Sequence, residues 1–235
     1  VKALILAAGL GTRLRPLTDS KPKSLVGVNG TPILFKQIDN LVKNGIEDIT
    51  VVAGYKYQLL QDVLKESYPF VKVIVNYDYD KTNNMYSAYL AKEFFLNKKF
   101  LLMNADVFYD EVIIQELLLE KYENAIVVEK GLYNDENMKV TCVDNKIVGI
   151  SKIIDEQDAF GVSIDVYKIS EKGSQIFFEK VIEYIENRKD LNQWTEIALN
   201  EVFKEINFMP CLLKGRWIEI DNHDDLGRAE ILFND

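Results

Sequence analysis

Along the first half of the chain, short apolar runs alternate with polar turns. KALIL at 2–6 breaks into AAGLGTR, the pattern of a strand running into a glycine-containing loop. Thr31 and Pro32 suit an N-cap and a first helical position. Leu34, Ile38, Leu41 and Val42 recur at helical spacing, and Asn44 with Gly45 supplies the stop. DITVVAG at 48–54 predicts a buried strand, Leu60, Val63 and Leu64 a helix, and VKVIVN at 71–76 another strand. A polar loop over 77–84 leads to a helix from about 86 to 95, then to the strand KFLLMNAD at 99–106 and a helix through Ile114, Leu117 and Leu118. This alternation predicts an α/β fold, a mostly parallel sheet with helices on both faces.

After residue 124 the pattern changes. AIVVEKG, MKVTCVD, KIVGISK and AFGVSIDVYKI are separated by turn residues at 134–137 and at Asp144 and Asn145, which predicts antiparallel or mixed strands added to the sheet. The segment 171–188 places Phe177, Val181, Tyr184 and Ile185 on one helical stripe. Residues 195–203 place Ala198, Leu199, Val202 and Phe203 on another, and both stripes read as core. FMPCLLKG and RWIEID predict two short strands before a last helix from about Asp224. No repeat or linker interrupts the chain, so a single domain over 1–235 is expected.

Composition narrows the classes. Lys and Arg number 28 against 37 Asp and Glu, a formal charge of −9 without a basic block, so a nucleic-acid surface is not expected. Apolar residues make up 48% of the chain, in the range of ordinary globular proteins. Cys142 and Cys211 form neither a disulfide framework nor a CxxC pair, which points to a reducing compartment. No apolar run approaches about 18 residues, and the start at Val1 and Lys2 has no signal-peptide pattern. The expectation is a cytoplasmic protein without a membrane span.

The segment LAAGLGTRLRPLT at 6–18, followed by KPKSLV at 21–26, is the richest in chemistry. Ala7, Ala8, Gly9 and Gly11 have little or no side chain, so backbone N–H groups can approach a phosphate, and Arg13 with Lys23 can neutralise it. Neither GxxxxGK[ST] nor GxGxxG is present, so this is not a Walker loop or a dinucleotide fingerprint. Asp106 and Asp221 each lie just beyond a strand's carboxyl end, where they could hold Mg²⁺ or only form turns and helix caps. His223, the single histidine, is a surface loop residue or a metal ligand.

LAAGxGTRLxPLT followed by KPKSL resembles the signature of the nucleotidyltransferase superfamily, which activates sugar and alcohol phosphates with an NTP. VAGY at 52–55, NNMYS at 83–87, NADV at 104–107, NMKV at 137–140, ISK at 150–152, WTEIALNE at 194–201 and EIDNHDDLGRAE at 219–230 extend the resemblance over nearly the whole chain. They are most similar to the cytidylyltransferase branch, which includes phosphocholine, aminoethylphosphonate and phosphoglutamine cytidylyltransferases, the last tied to capsule decoration.

The resemblance implies a Rossmann-like three-layer α/β/α fold with a mixed, centrally parallel sheet. It implies that 1–123 form mainly a nucleotide-binding half and 124–235 mainly an acceptor-binding half. It further implies CTP and a small phosphorylated acceptor as partners, Mg²⁺ as cofactor, and a monomer or homodimer.

Residue by residue, the resemblance gives Lys23 the α-phosphate and the acceptor phosphate, and Arg13 the β- and γ-phosphates. Leu6, Ala105 and Asp106 join the nucleotide contacts, with Gly54, Tyr55, Asn84 and Ser87 at the cytosine and ribose. Lys139, Lys152 and Glu196 line the acceptor side, and Asp106 matches the family's metal-binding aspartate; Asp221, by its place beyond a strand end, is the expected second metal ligand.

For the acceptor itself, Tyr77, Tyr79, Tyr86 and Tyr89 interleaved with Asp78 and Asp80 form either a cage for a quaternary ammonium or ordinary core contacts. An amino acid phosphate would need a cation from Lys130, Lys139, Lys152 or Arg188 and an anion from Glu196 or Asp165. Two other enzyme readings stay open: a sugar-1-phosphate uridylyl- or thymidylyltransferase, and a metal-dependent glycosyltransferase, which Asn104 in place of a DxD aspartate disfavours. A silent nucleotide sensor is the non-enzyme alternative.

Overall fold

The computed structural model of the protein describes residues 1–131 and 133–234. The first half runs β1 (Lys2–Ala7), α1 (Leu17–Ser20), β2 (Gly27–Val28), β3 (Thr31–Pro32), α2 (Ile33–Lys43), β4 (Ile49–Ala53), α3 (Tyr57–Ser67), β5 (Lys72–Val75), α4 (Asn84–Leu90), α5 (Lys92–Phe95) and β6 (Phe100–Asn104). The second half runs β7 (Val107–Tyr109), α6 (Val112–Leu119), β8 (Ala125–Glu129), β9 (Lys139–Val143), β10 (Lys146–Ser151), β11 (Gly161–Ile169), α7 (Glu171–Ile182), α8 (Thr195–Phe203), β12 (Met209–Leu212), β13 (Trp217–Glu219) and α9 (His223–Leu232).

The main sheet has the order β10-β9-β11-β6-β1-β4-β5, with β8 paired to β11 and β12. β6, β1, β4 and β5 are mutually parallel, whereas β11 runs antiparallel to β6. The sheet is therefore mixed and centrally parallel, as the alternation of periods predicts.

Strand β1 is apolar on both sides because it has helices on both sides. Ala3, Ile5 and Ala7 pack in one core with Leu34 and Ile38 of α2 and Leu60 of α3. Leu4 and Leu6 pack in the opposite core with Met85 of α4, Phe177 of α7 and Leu199 of α8. A third, smaller core of Leu14, Val26, Val28, Ile33, Phe108, Ile218, Ile220 and Ala229 binds the loop after β1 to the short β7–β13 pair and α9. It brings the two ends of the chain together.

The chain leaves β1 toward β4 on one side and returns to β6 on the other. A crevice opens where the carboxyl ends of neighbouring strands diverge in this way.

Several local expectations are corrected. Thr31 does not cap α2: it pairs with Val28, and the helix starts at Ile33, whose N–H donates to Val26 O at 3.0 Å. The helix expected over 86–95 is two, α4 and α5, joined at Ala91, so that Phe95 can pack 5.1 Å from Phe100. The stripe over 171–188 is helical in α7 only to Ile182 and continues as a wider π-turn over Glu183–Asn187.

Candidate active site

The segment after β1 is held by its own hydrogen bonds, Leu14 N–H to Gly11 O at 3.1 Å among them, and by its neighbours. Gly11 has φ +61°, and a Cβ there would come within 2.8 Å of Lys23 Cβ, so only glycine lets the loop lie on the lysine stem. Thr18 Oγ1 donates to Gly11 O at 2.8 Å. On the other flank a Cβ on Gly54 would lie 2.6 Å from Ala8 O, and the Tyr55 N–H donates to that same oxygen at 3.2 Å. Gly11, Gly54 and Tyr55 therefore support the loop from behind and do not line the cleft.

Four charged side chains meet at the mouth of this loop. Lys23 Nζ donates to Asp106 Oδ2 at 2.9 Å and to Asp221 Oδ1 at 2.6 Å, and Arg13 lies 2.8 Å from Asp221 Oδ2. Burial opposes the charge on Lys23, but Asp106 and Asp221 outweigh it and raise its pKa above the ordinary lysine value. Burial likewise works against Asp221, yet Lys23 and Arg13 hold its carboxyl below the usual range.

Backbone contacts fix the positions of these two acids. Ala105 N–H donates to Leu6 O at 3.0 Å and Ile220 N–H to Asp106 O at 2.9 Å. Asp221 N–H donates to Asp225 Oδ2 on α9 at 3.1 Å.

A cleft of about 360 Å³ opens beside this cluster. Leu6, Ala8, Gly9, Arg13, Asp106 and Asp221 form one side of its lining. Asn84 and Ser87 line it from α4, and Lys152 and Glu196 from the far side. Ala7, Lys23 and Ala105 line a hollow of about 50 Å³ that shares Leu6, Gly9 and Asp106 with the cleft.

Lys139 is not among the lining residues. It is 2% exposed, and its Nζ donates to Asn134 O at 3.1 Å, while the preceding residue, Met138, faces the cleft. Met138 precedes β9, which starts at Lys139, and it is Met138 that reaches the cleft while the Lys139 amine is turned to Asn134 O.

Of the expected aromatic cage, Tyr79 lines the cleft and packs 6.1 Å from Tyr55. Tyr77 is 71% exposed against Tyr57, and Tyr86 stacks on Tyr89 away from the lining. His223 is exposed at the start of α9, with Nε2 2.7 Å from Arg15 O.

The far wall carries both anions offered for an amino acid acceptor, Asp165 and Glu196, and joins them through Tyr167, which the sequence did not single out. Asp165 sits at an irregularity of β11 between Ser163 and Tyr167, with φ +58°, and accepts from Asn104 Nδ2 at 2.9 Å. The Tyr167 hydroxyl lies 2.8 Å from Asp165 Oδ1 and 3.0 Å from Glu196 Oε1. Burial and mutual repulsion push Glu196 up to about 7, while burial and Asp106 push Asp165 up to about 6.

Glu219 was also missed, although it stands two residues before Asp221 and so shares a face with it. Burial and the neighbouring carboxylates push it up to about 9. Trp194 completes the wall, with Lys152 Nζ 5.5 Å over its ring, whereas Asn76 and Thr82 line the cleft beside Ser87.

Ligand oxygens of Asp106, Glu219 and Asp221 lie within 4.8 Å of one another, and Asp106 Oδ1 is buried with no hydrogen-bond partner among the described residues. A set of carboxylate oxygens with one free and buried fits a hard divalent cation such as Mg²⁺.

The family profile of nucleotidyl transferases matches residues 2–139, more than half of the chain. The chain belongs to the nucleotidyl transferase family. Among relatives of this nucleotidyltransferase, the CTP:phosphoglutamine cytidylyltransferase of Campylobacter jejuni is 30% identical over 96% of this chain and 98% of its own length. The choline-phosphate cytidylyltransferase of Streptococcus pneumoniae is 50% identical over 93 residues, 40% of each chain. A solved structure of the CTP:phosphocholine cytidylyltransferase of that species superposes with a TM-score of 0.83 at 29% identity, covering 98% of this chain and 97% of the other. The inositol-1-phosphate CTP transferase of T. maritima shares the fold, with a TM-score of 0.81 at 22% identity.

Proposed function

We propose that the protein transfers CMP from CTP to the phosphate of a small acceptor and releases pyrophosphate. In this reading residues 1–123 make most of the nucleotide contacts and 124–235 most of the acceptor contacts. The observation that carries it is the Lys23 ammonium held between Asp106 and Asp221, with Arg13 on the other oxygen of Asp221, at the end of a loop of small residues.

The chemistry asks little of proton transfer. A phosphomonoester has a second pKa near 6 and is largely dianionic at neutral pH, so its oxygen attacks the α-phosphorus without a general base. The difficulty is bringing two anions together. Arg13 and Lys23 neutralise and orient them, and the backbone of Ala8 and Gly9 admits the phosphates closely. Asp106 and Asp221, with Glu219 beside them, would hold Mg²⁺, which when bound supplies further neutralisation at the phosphate oxygens.

CTP as donor is supported by the similarity to two cytidylyltransferases over most of this chain. Asn84 and Ser87, with Asn76 and Thr82 beside them, give the base and ribose hydrogen-bonding partners.

For the acceptor, Asp165, Glu196 and Trp194 on the far wall favour a positively charged group next to the phosphate, as in phosphocholine or a phosphorylated amino acid such as phosphoglutamine. A neutral sugar would leave those acids uncompensated. Lys152, beside Trp194, suits the acceptor's phosphate or a carboxylate.

Pyrophosphate release measured for each NTP with Mg²⁺ against phosphocholine, 2-aminoethylphosphonate, phosphoglutamine and glucose 1-phosphate tests the reading. CTP with a cationic acceptor is expected to give the highest kcat/KM. A preference for UTP or dTTP with glucose 1-phosphate would replace it with the sugar-nucleotide alternative.

A further inference from the structure

Asp106 stands on the tight turn between β6 and β7, and the turn is gripped from three sides. β1 accepts the Ala105 N–H through Leu6 O, and the strand end after β13 donates the Ile220 N–H to Asp106 O. The third grip comes from helix α2. Gln37 is fully buried, and its Nε2 donates to Asn104 O at 2.9 Å and to Val107 O at 2.8 Å. Those two carbonyls bracket Ala105 and Asp106. Only the amino end of the amide can face two carbonyls, so both N–H bonds are committed and the side chain has a single orientation.

A glutamine on the buried face of an amphipathic helix, between Leu34 and Ile38, is costly to the core unless its polar atoms are used. Here the donors are used, while Oε1 is buried with no hydrogen-bond partner among the described residues, and the use is specific. Of the two buried amides on α2, Gln37 reaches the turn that carries Asp106, whereas Asn40 donates to Tyr109 O at 2.9 Å, beyond the turn.

We propose that Gln37 is a positioning residue for the reaction: by clamping Asn104 O and Val107 O it sets where the Asp106 carboxylate stands relative to Lys23 and Asp221. It touches neither nucleotide nor acceptor and acts through Asp106. The inference rests on the reading of Asp106 as the carboxylate that serves the metal and the phosphates. A side chain at 37 that cannot donate frees the two carbonyls. The turn then relaxes, and the Asp106 carboxylate shifts relative to the Lys23 ammonium that joins it to Asp221.

The test compares Gln37→Met with Asn40→Leu, two changes that each remove one buried amide from α2. For each, pyrophosphate release is measured against Mg²⁺ and CTP concentration, Mn²⁺ binding is followed by electron paramagnetic resonance, and the thermal midpoint is recorded. The expected result for Gln37→Met is a rise of about tenfold in half-saturating Mg²⁺, weaker Mn²⁺ binding by a similar factor, a fall of about tenfold in kcat, and a change in CTP KM below about threefold, a pattern of second-sphere loss. Asn40→Leu should lose comparable thermal stability while keeping wild-type metal dependence.

Should Gln37→Met fail to fold, Gln37→Asn carries the test, since it keeps the amide and withdraws the donors by one methylene. It is expected to show the same metal-dependent defect at smaller size. Wild-type metal dependence in a folded Gln37 variant, or an equal defect in Asn40→Leu, would overturn the proposal. Failure of the functional reading looks different: the unsubstituted protein would then not release pyrophosphate from CTP with any of the acceptors.

Discussion

On the β1 side of the cleft the chain presents backbone, and on the β11 side it presents side chains. The first wall is one stretch of small residues supported from behind by Gly11, Gly54 and the Tyr55 N–H, with charge supplied at its edge by Arg13 and Lys23. The second gathers Asp165, Glu196, Trp194 and Met138 from separate elements, and its acids are pushed toward neutral pH by burial and by neighbouring carboxylates. A wall of backbone donors suits what every NTP shares, its phosphates. A wall of side chains can be altered one residue at a time, and that suits the part of the reaction in which relatives differ.

The largest effect is expected where the two walls meet. Lys23→Ala and Asp106→Asn should each lower kcat for pyrophosphate release by about 10²- to 10³-fold, because each removes a charge that the transition state needs, while circular dichroism shows an unchanged fold. Near-wild-type turnover in either variant would dissolve the distinction between the walls.

Tyr167→Phe sharpens it. Loss of the hydroxyl that bridges Asp165 and Glu196 should raise the KM for a cationic acceptor about tenfold and leave the CTP KM within about twofold, as steady-state kinetics can separate.

The same wall predicts a pH dependence of acceptor binding. Glu196, pushed up to about 7, and Asp165, to about 6, are largely protonated in mildly acid solution and gain negative charge as pH rises through those values. Choline, a cation without a phosphate of its own to titrate, should therefore inhibit more tightly at about pH 8 than at about pH 5.5, by about three- to tenfold. Inhibition independent of pH would separate these acids from the acceptor. The smallest effect is expected for Lys139→Met, about twofold or less on acceptor KM, since this amine is bonded to Asn134 O away from the cleft.

The asymmetry between the walls also governs what could be read without a structure. The loop of small residues proposed to meet the phosphates is contiguous, so LAAGLGTR and KPKS carry it in order, and the alternation of apolar runs carries the parallel centre of the sheet. Glu219 was legible and missed, because alternate strand residues share a face and Asp221 had already been picked out. Lys139 and Met138 are neighbours in NMKV, and the motif does not say which of them meets the cleft.

Asp165 was legible as a candidate anion, but its place on the wall depended on an irregularity of β11 against β8, and Gln37 looked like any polar interruption of a helical stripe.

The sequence alone determined the elements, the small-residue loop and the charges available to it, because each is set within a few neighbouring residues. Only the tertiary structure decided that Lys23 meets Asp106, 83 positions away, and Asp221, 198 positions away. Contacts at that separation are set by how the sheet and the third core close around the whole chain, and local spacing carries no record of that closure.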